Sequence, residues 1–496
     1  MDQEDELSND KVKLVATTGN VTIPCPQPPS PDLPASGSHI DSHNRPGHNT
    51  QEGSYFETAQ WSADGTALLT ASSSNLISGY IVPEDLLSPH ASPLSIAPSA
   101  QIQLPEPTNV LAGAPYFTLA APWTHQVIVS ARDHPIQLFY LDAHTDNSSP
   151  SSSPSSFIGA RDLPSVHRPP ATSYPFLRAR SETFLTATSL LWSEPGTHFL
   201  AGTRNLLARF DVARAGEPVT RIKTIPSERH ISKGGGVGMR GTISTLSEQP
   251  RNEGPNGGSL IAAGTWSRWV GLYDLNVPEE EACVATWGIA QAAEDTKSMP
   301  GGVAVGADAD MHVGIGGDGI MQTFWSPCGR YLFISERRSR GILVYDVRVT
   351  GRLLGWLSGR EARDNQRIQG DVFHTQGGTE VWSGTTDGTV NIWEGVGSRE
   401  GAHEPAWGWN AHGSTIGSTC LHQSGTVIAT CAGSWEFLDD ECEDSDTYSD
   451  LSDGSSESAS ENSSIHASWM RRRYKESSLK MWSLTNDQDE GEVGVA

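Results

Sequence analysis

The sequence predicts an all-β protein, a seven-bladed β-propeller. Three observations predict it. A β-hairpin motif recurs seven times along the 496 residues. Small-residue runs and Trp-turn signals precede many of the copies. The length also leaves room for seven blades of about 40–45 residues each, with insertions and tails besides.

The sharpest copy runs from Val381 to Glu394. Its apolar residues alternate with polar ones, the period-2 pattern of a half-buried strand. Asp387-Gly388 supplies the turn, because Asp accepts nearby backbone N–H groups and Gly tolerates positive φ. Trp393 closes the strand as a large apolar plug. The same template fits Asn75–Tyr80, Asp133–Tyr140, Asn205–Asp211, Trp269–Asp274, Gly341–Asp346 and Leu479–Ser483. Upstream of several copies lie small-residue runs (Thr70–Ser72, Val129–Ala131, Ala201–Thr203, Ala262–Gly264). Further upstream a Trp often precedes a turn, as in Trp61–Gly65, Trp192–Gly196 and Trp325–Gly329. One copy alone fits any sandwich; the repetition specifies a propeller of the WD-repeat type.

The elements follow in chain order. Residues 1–53 are rich in Pro, Ser and acids and are expected to be mostly disordered, with a closing strand near 12–23. Such a strand would pair with the last blade and remove the exposed edges of an open ring. Residues 54–484 form the propeller. A Ser/Pro-rich insertion interrupts it at about 144–175, and an acidic insertion at about 436–464. Residues 485–496 are an acidic tail. These segments bury too little apolar surface to offset chain entropy, so they are expected to be disordered.

Composition narrows the function. No apolar run approaches the roughly 18 residues of a membrane span. The acidic start, Met1–Glu6, is unlike a secretory signal. Six scattered cysteines show neither zinc-ligand spacing nor a disulfide framework. A reduced, nuclear or cytoplasmic setting is expected. Gly236–Gly241 and Gly314–Gly319 satisfy G-x-G-x-x-G, but both run into β-patterned segments. A dinucleotide site needs a helix there, so inter-blade loops are the better reading. Neither a phosphate-binding P-loop nor a nucleophile elbow occurs. No catalytic residue, cofactor or metal is assigned, and the chain reads as a non-enzyme.

Charge is uneven. The formal net charge is −25, and residues 439–461 hold ten acids and no Lys or Arg. Residues 330–367 instead hold nine arginines against four acids, and residues 204–240 hold eight bases against three. A basic sector on an acidic protein suggests selective binding of RNA or phosphoprotein, since guanidinium forks suit phosphate and stack on bases. The competing reading pairs these arginines with blade acids.

Four stretches resemble the telomerase Cajal body protein family: Tyr55–Gly65, Arg132–Leu138, Gly264–Tyr273 and, most distinctively, Leu357–Asp371 with its Gly-Arg-Glu and Asn-Gln-Arg-Ile elements. The resemblance spans Tyr55 to Leu484 and has a fungal-like cast. It implies a scaffold that binds small nuclear or telomerase-type RNAs and supports assembly, localisation or splicing by their particles. The implied partners are small nuclear RNA and ribonucleoprotein components. The implied location is nuclear, including nuclear bodies, with some cytoplasmic protein, and the chain is expected to be monomeric. RNA-binding candidates are Arg360, Arg363 and Arg367 for phosphates, and Asn365 and Gln366 as base-edge readers. Arg337, Arg338 and Arg340 stand second. Thr447 and Ser458, with acids three residues on, are candidate phosphosites. The alternative function is a purely protein-binding WD-repeat scaffold in a nuclear complex such as the spliceosome.

Overall fold

The computed structural model describes residues 11–21, 23–24, 53–141, 168–226, 238–250, 260–298, 314–362, 364–437 and 472–484. Arg363, Thr447 and Ser458 lie outside the described residues, as do the cores of the Ser/Pro-rich and acidic insertions.

Seven blades stand among the described residues. Blade 1 comprises Phe56–Trp61, Ala67–Ser72, Leu76–Ile81 and Ala100–Gln103. Blade 2 comprises Thr108–Gly113, Gln126–Ala131, Ile136–Tyr140 and Thr172–Tyr174. Blade 3 holds Ser189–Trp192, His198–Thr203, Leu206–Asp211 and Thr220–Lys223, and blade 4 holds Ile243–Glu248, Leu260–Thr265, Trp269–Asp274 and Cys283–Gly288. Blade 5 is Ile320–Trp325, Tyr331–Glu336, Gly341–Asp346 and Leu353–Ser358, and Gly401–His403 adds to it in parallel. Blade 6 is Gly370–Thr375, Gly378–Gly384, Thr389–Val396 and Trp407–Asn410.

Blade 7 is a composite. Ile416–Leu421, Val427–Phe437 and Arg472–Leu484 supply three strands, and Val12–Thr17 supplies the fourth. Val12 faces Leu484 and Leu14 faces Trp482. Leu94–Ser95, from an excursion of blade 1, pairs in parallel with the outer side of this strand. Two distant parts of the chain therefore latch the ring.

First strands of neighbouring blades contact one another from blade 2 round to blade 1, so they line the axis of the ring. The core lies between blades. Ala262, Val270, Leu272 and Trp287 of blade 4 pack on Ile320, Leu332, Leu343 and Tyr345 of blade 5. Trp382 and Trp409 of blade 6 pack with Ile428 and Trp482 of blade 7. In blade 7 a polar relay crosses this apolar layer. His412 Nε2 lies 2.7 Å from Thr430 Oγ1, and Trp482 Nε1 donates to the same oxygen at 2.9 Å. His412 Nδ1 meets Glu476 Oε1 at 3.0 Å, and Lys480 Nζ lies 2.9 Å from that carboxylate oxygen.

The turns between second and third strands share one backbone device. Asn75, Asp133, Asn205, Arg268 and Arg338 take φ of +63°, +57°, +56°, +63° and +52°. Gly388 fills the corresponding turn of blade 6. Asn and Asp adopt this left-handed region several-fold more readily than most residues, whereas arginine has no such ease. These turns abut the connectors to the next blade. Asn75 Oδ1 accepts from Thr108 N at 3.3 Å, and Asn205 Oδ1 from Gly241 N at 2.8 Å. Hairpin turns and inter-blade connectors thus share one face, here called the connector face.

Candidate nucleic-acid interface

Most of the candidate residues converge on the connector face, but they play different parts. Arg360 corrects the expectation that it faces a partner. It is 1 % exposed. Its Nη1 donates to the Glu336 carbonyl and its Nη2 to the Ile368 carbonyl, both at 3.1 Å, and its Nε to Ser383 Oγ at 3.3 Å. Burial pulls the guanidinium down to about 10, against the opposing pull of Asp364 and Glu336. The side chain ties the connector between blades 5 and 6 to both blades. A guanidinium has five fixed donors, and here the three N–H directions used end on protein acceptors.

Next to it lies a largely buried cation-anion pair. Arg268 from the blade 4 turn forks onto Glu336 of blade 5, Nε to Oε1 at 2.8 Å and Nη2 to Oε2 at 2.9 Å. Gly319 N also donates to Oε1, at 3.2 Å. Burial pushes the Glu336 carboxyl up, and the Arg268 fork pulls it back. This pair fixes the turn that carries Trp266. That indole is 39 % exposed.

Around Trp266 stands a basic arc. Arg204 is exposed on the blade 3 turn. The Arg240 guanidinium lies 5.8 Å from the Trp269 ring centroid. Arg337 donates through Nε to the Asp318 carbonyl, and its Nη2 lies 3.6 Å from Asp318 Oδ2. Arg338 is exposed and only 4.0 Å from the same oxygen. Arg340 is half-buried, with its backbone amide bonded to Ile315. The opposite face is mixed. Its turns carry Asp64, Glu194, Glu279, Glu280 and Glu281 together with exposed Arg214, Arg330 and Arg399, while Arg348 and Arg352 are paired with Asp346 and Glu400.

The remaining candidates line a cavity of about 470 Å³ on the axis. Asn365, Gln366 and Arg367 form one wall, from the blade 5–6 connector. Glu57, Gln60, Thr108, Leu111 and Met321, from first strands, form others. Asn365 is exposed. Gln366 Nε2 donates to the Gly433 carbonyl at 3.1 Å. Arg367 reaches across the ring to the Thr188 carbonyl, at 3.4 Å. Burial lowers the Arg367 guanidinium and raises the Glu57 carboxyl, and each charge offsets part of the other's shift.

Sequence reasoning did not single out Trp266, Arg268 or Glu57 as site residues. Trp266 carried a signal: it falls in the turn of Gly264–Tyr273, outside the strand alternation. Among the described residues, no group of three or more His, Cys, Asp or Glu is placed to hold a metal.

No family model matches the chain. It is similar to curated proteins of the family that its sequence resembles. It is 26% identical over 392 residues to telomerase Cajal body protein 1 of Bos taurus, covering 78% of this chain and 59% of that protein. To telomerase Cajal body protein 1 of Homo sapiens it is 24% identical over 393 residues, with the same two shares, 78% and 59%. A fungal relative, guanine nucleotide-binding protein negative regulator 1 of Schizosaccharomyces pombe, is 24% identical over 344 residues, 68% of this chain and 70% of that one. The chain thus spans about 59% of the length of the mammalian relatives it matches.

Proposed function

We propose that this relative of the telomerase Cajal body proteins is a non-catalytic scaffold that binds small nuclear or telomerase-type RNA through its connector face. One observation carries the reading. An exposed tryptophan, Trp266, sits among Arg204, Arg240, Arg337 and Arg338 on the connector face. Guanidinium groups there meet phosphates, and the indole offers a stacking platform for an unpaired base. Arg360 and Arg268 hold the turns in place and do not touch RNA. The name of the mammalian relatives, telomerase Cajal body protein 1, supports a nuclear setting; the proposed role there is in the assembly, localisation or splicing work of RNA particles.

Fluorescence anisotropy of the full chain on labelled small nuclear RNAs, across a salt series, tests this. Neutralising Z phosphates gives a log–log slope of about −0.7Z for single strands. Arg337→Glu with Arg338→Glu should flatten that slope by one or more. Trp266→Ala should weaken binding about tenfold, in line with roughly 1–3 kcal/mol per stacked base. Binding unaffected by all three changes would remove the RNA reading.

A second reading, a protein-only scaffold, has its own observation. On the opposite face Trp123 is 65 % exposed, near Tyr116 at 37 % and Leu119 at 36 %. Exposed aromatics of this kind are enriched at protein interfaces. Crosslinking in cells followed by RNA sequencing separates the two: recovery of background RNA alone favours the protein scaffold.

A further inference from the structure

The axial cavity holds polar groups whose partners are missing. The Glu57 side chain makes no hydrogen bond or close ion pair with any described residue, although it is half-buried and only the more distant Arg367 charge offsets it. Gln60 Nε2 and Thr108 Oγ1 are buried on the same lining and have no hydrogen-bond partner among the described residues. Arg367, on the wall from the blade 5–6 connector, has one long bond, to Thr188. A desolvated carboxylate is costly unless a cation or strong donor meets it, and each orphaned donor is costly too. The cavity therefore asks for a ligand with a cationic donor for Glu57 and neutral acceptors for Gln60 and Arg367.

An arginine residue in a peptide meets both demands. Its guanidinium forks onto a carboxylate, and its backbone carbonyls serve the amide and the second guanidinium. The aliphatic stem would lie against Leu111 and Met321. About 470 Å³ is room for that side chain and an adjoining residue. RNA fits less well. A carboxylate repels an anionic phosphate, and the aromatic ring on the lining, Tyr55, is 7 % exposed and packed edge-on to Trp435 at 5.6 Å. The net charge of −25 also favours an encounter with a basic partner.

We propose that the axial cavity is a peptide site that takes an arginine side chain of a protein partner against Glu57. It is separate from the RNA arc and does not depend on it.

The test uses the full chain, immobilised, against a positional-scanning hexapeptide library in which Arg, Lys, citrulline and Gln compete at each position. Arginine should be enriched at one position over citrulline, which keeps the shape and loses the charge. Glu57→Gln should lower the affinity of the selected peptide at least about tenfold. Arg338→Glu, on the outer arc, should leave it unchanged. Absence of arginine enrichment, equal binding of arginine and citrulline peptides, or unchanged binding by Glu57→Gln would each overturn the site. So would a fall in RNA affinity with Glu57→Gln at unchanged peptide binding, which would hand the cavity to a nucleotide.

Discussion

Truncating Arg360 to alanine separates a structural arginine from a functional one. The change deletes three hydrogen bonds and leaves the carbonyls of Glu336 and Ile368 without those donors. It also opens a void where a 1 % exposed side chain stood. The net charge of the buried region falls by one, so Asp364 and Glu336 lose a compensating neighbour. Breaking a buried charge network of this kind costs about 3–5 kcal/mol. For a chain of several hundred residues that is a fall in Tm of roughly 5 °C. Differential scanning calorimetry and urea unfolding read the loss. RNA affinity, corrected for the folded fraction, should change less than about twofold. Arg360→Lys keeps the charge but loses the fork, so it should recover only part of the stability. A variant with wild-type Tm and abolished RNA binding would refute the assignment of Arg360 to the interior.

Further outcomes follow from the same geometry. Asp371 is held at about 6, above its ordinary 3.8, by burial, with the amides of Leu421 and Val372 partly offsetting this. The folded state therefore binds this proton more tightly than the unfolded chain, and the group costs stability as pH rises from about 4 to 6. Relative to wild type, Asp371→Asn should gain up to about 3 kcal/mol across that window in urea unfolding; a pH-independent difference would contradict it. His412→Ala strips the blade 7 relay of its centre, leaving Thr430 and Glu476 short of a partner, and should cost about 3 kcal/mol by the same assay. Ala16→Asp places a charge at a 0 % exposed site in the latching strand; limited proteolysis should then release the N-terminal segment before any internal cut.

The propeller was legible because its signals are local and repeated. Each copy puts an alternating strand, a turn residue and an aromatic plug in order, and Trp393 and Trp482 are indeed buried plugs, the first bonded through Nε1 to the Ser358 carbonyl. The site was legible only as a neighbourhood. Gly-Arg-Glu in a connector reads the same whether Arg360 points outward or inward. What decides is where the carbonyls of Glu336 and Ile368 lie, and that is set by how blades 5 and 6 stack. Glu57 shows the same limit. Its place beside Phe56 marks a strand, but its exposure to an axial void depends on residues hundreds of positions away. Trp266 was readable in principle, as an aromatic stranded in a hairpin turn.

The left-handed turns make the connector face a row of identical sockets. Two of them, at Asn75 and Asn205, spend their side chains on stitching one blade to the next. Arg268 also stitches, through Glu336, while Asp133 and Arg338 stand outward at the same backbone pose. A single exchange at an outward socket can thus repaint what the ring displays, with every strand left in its place.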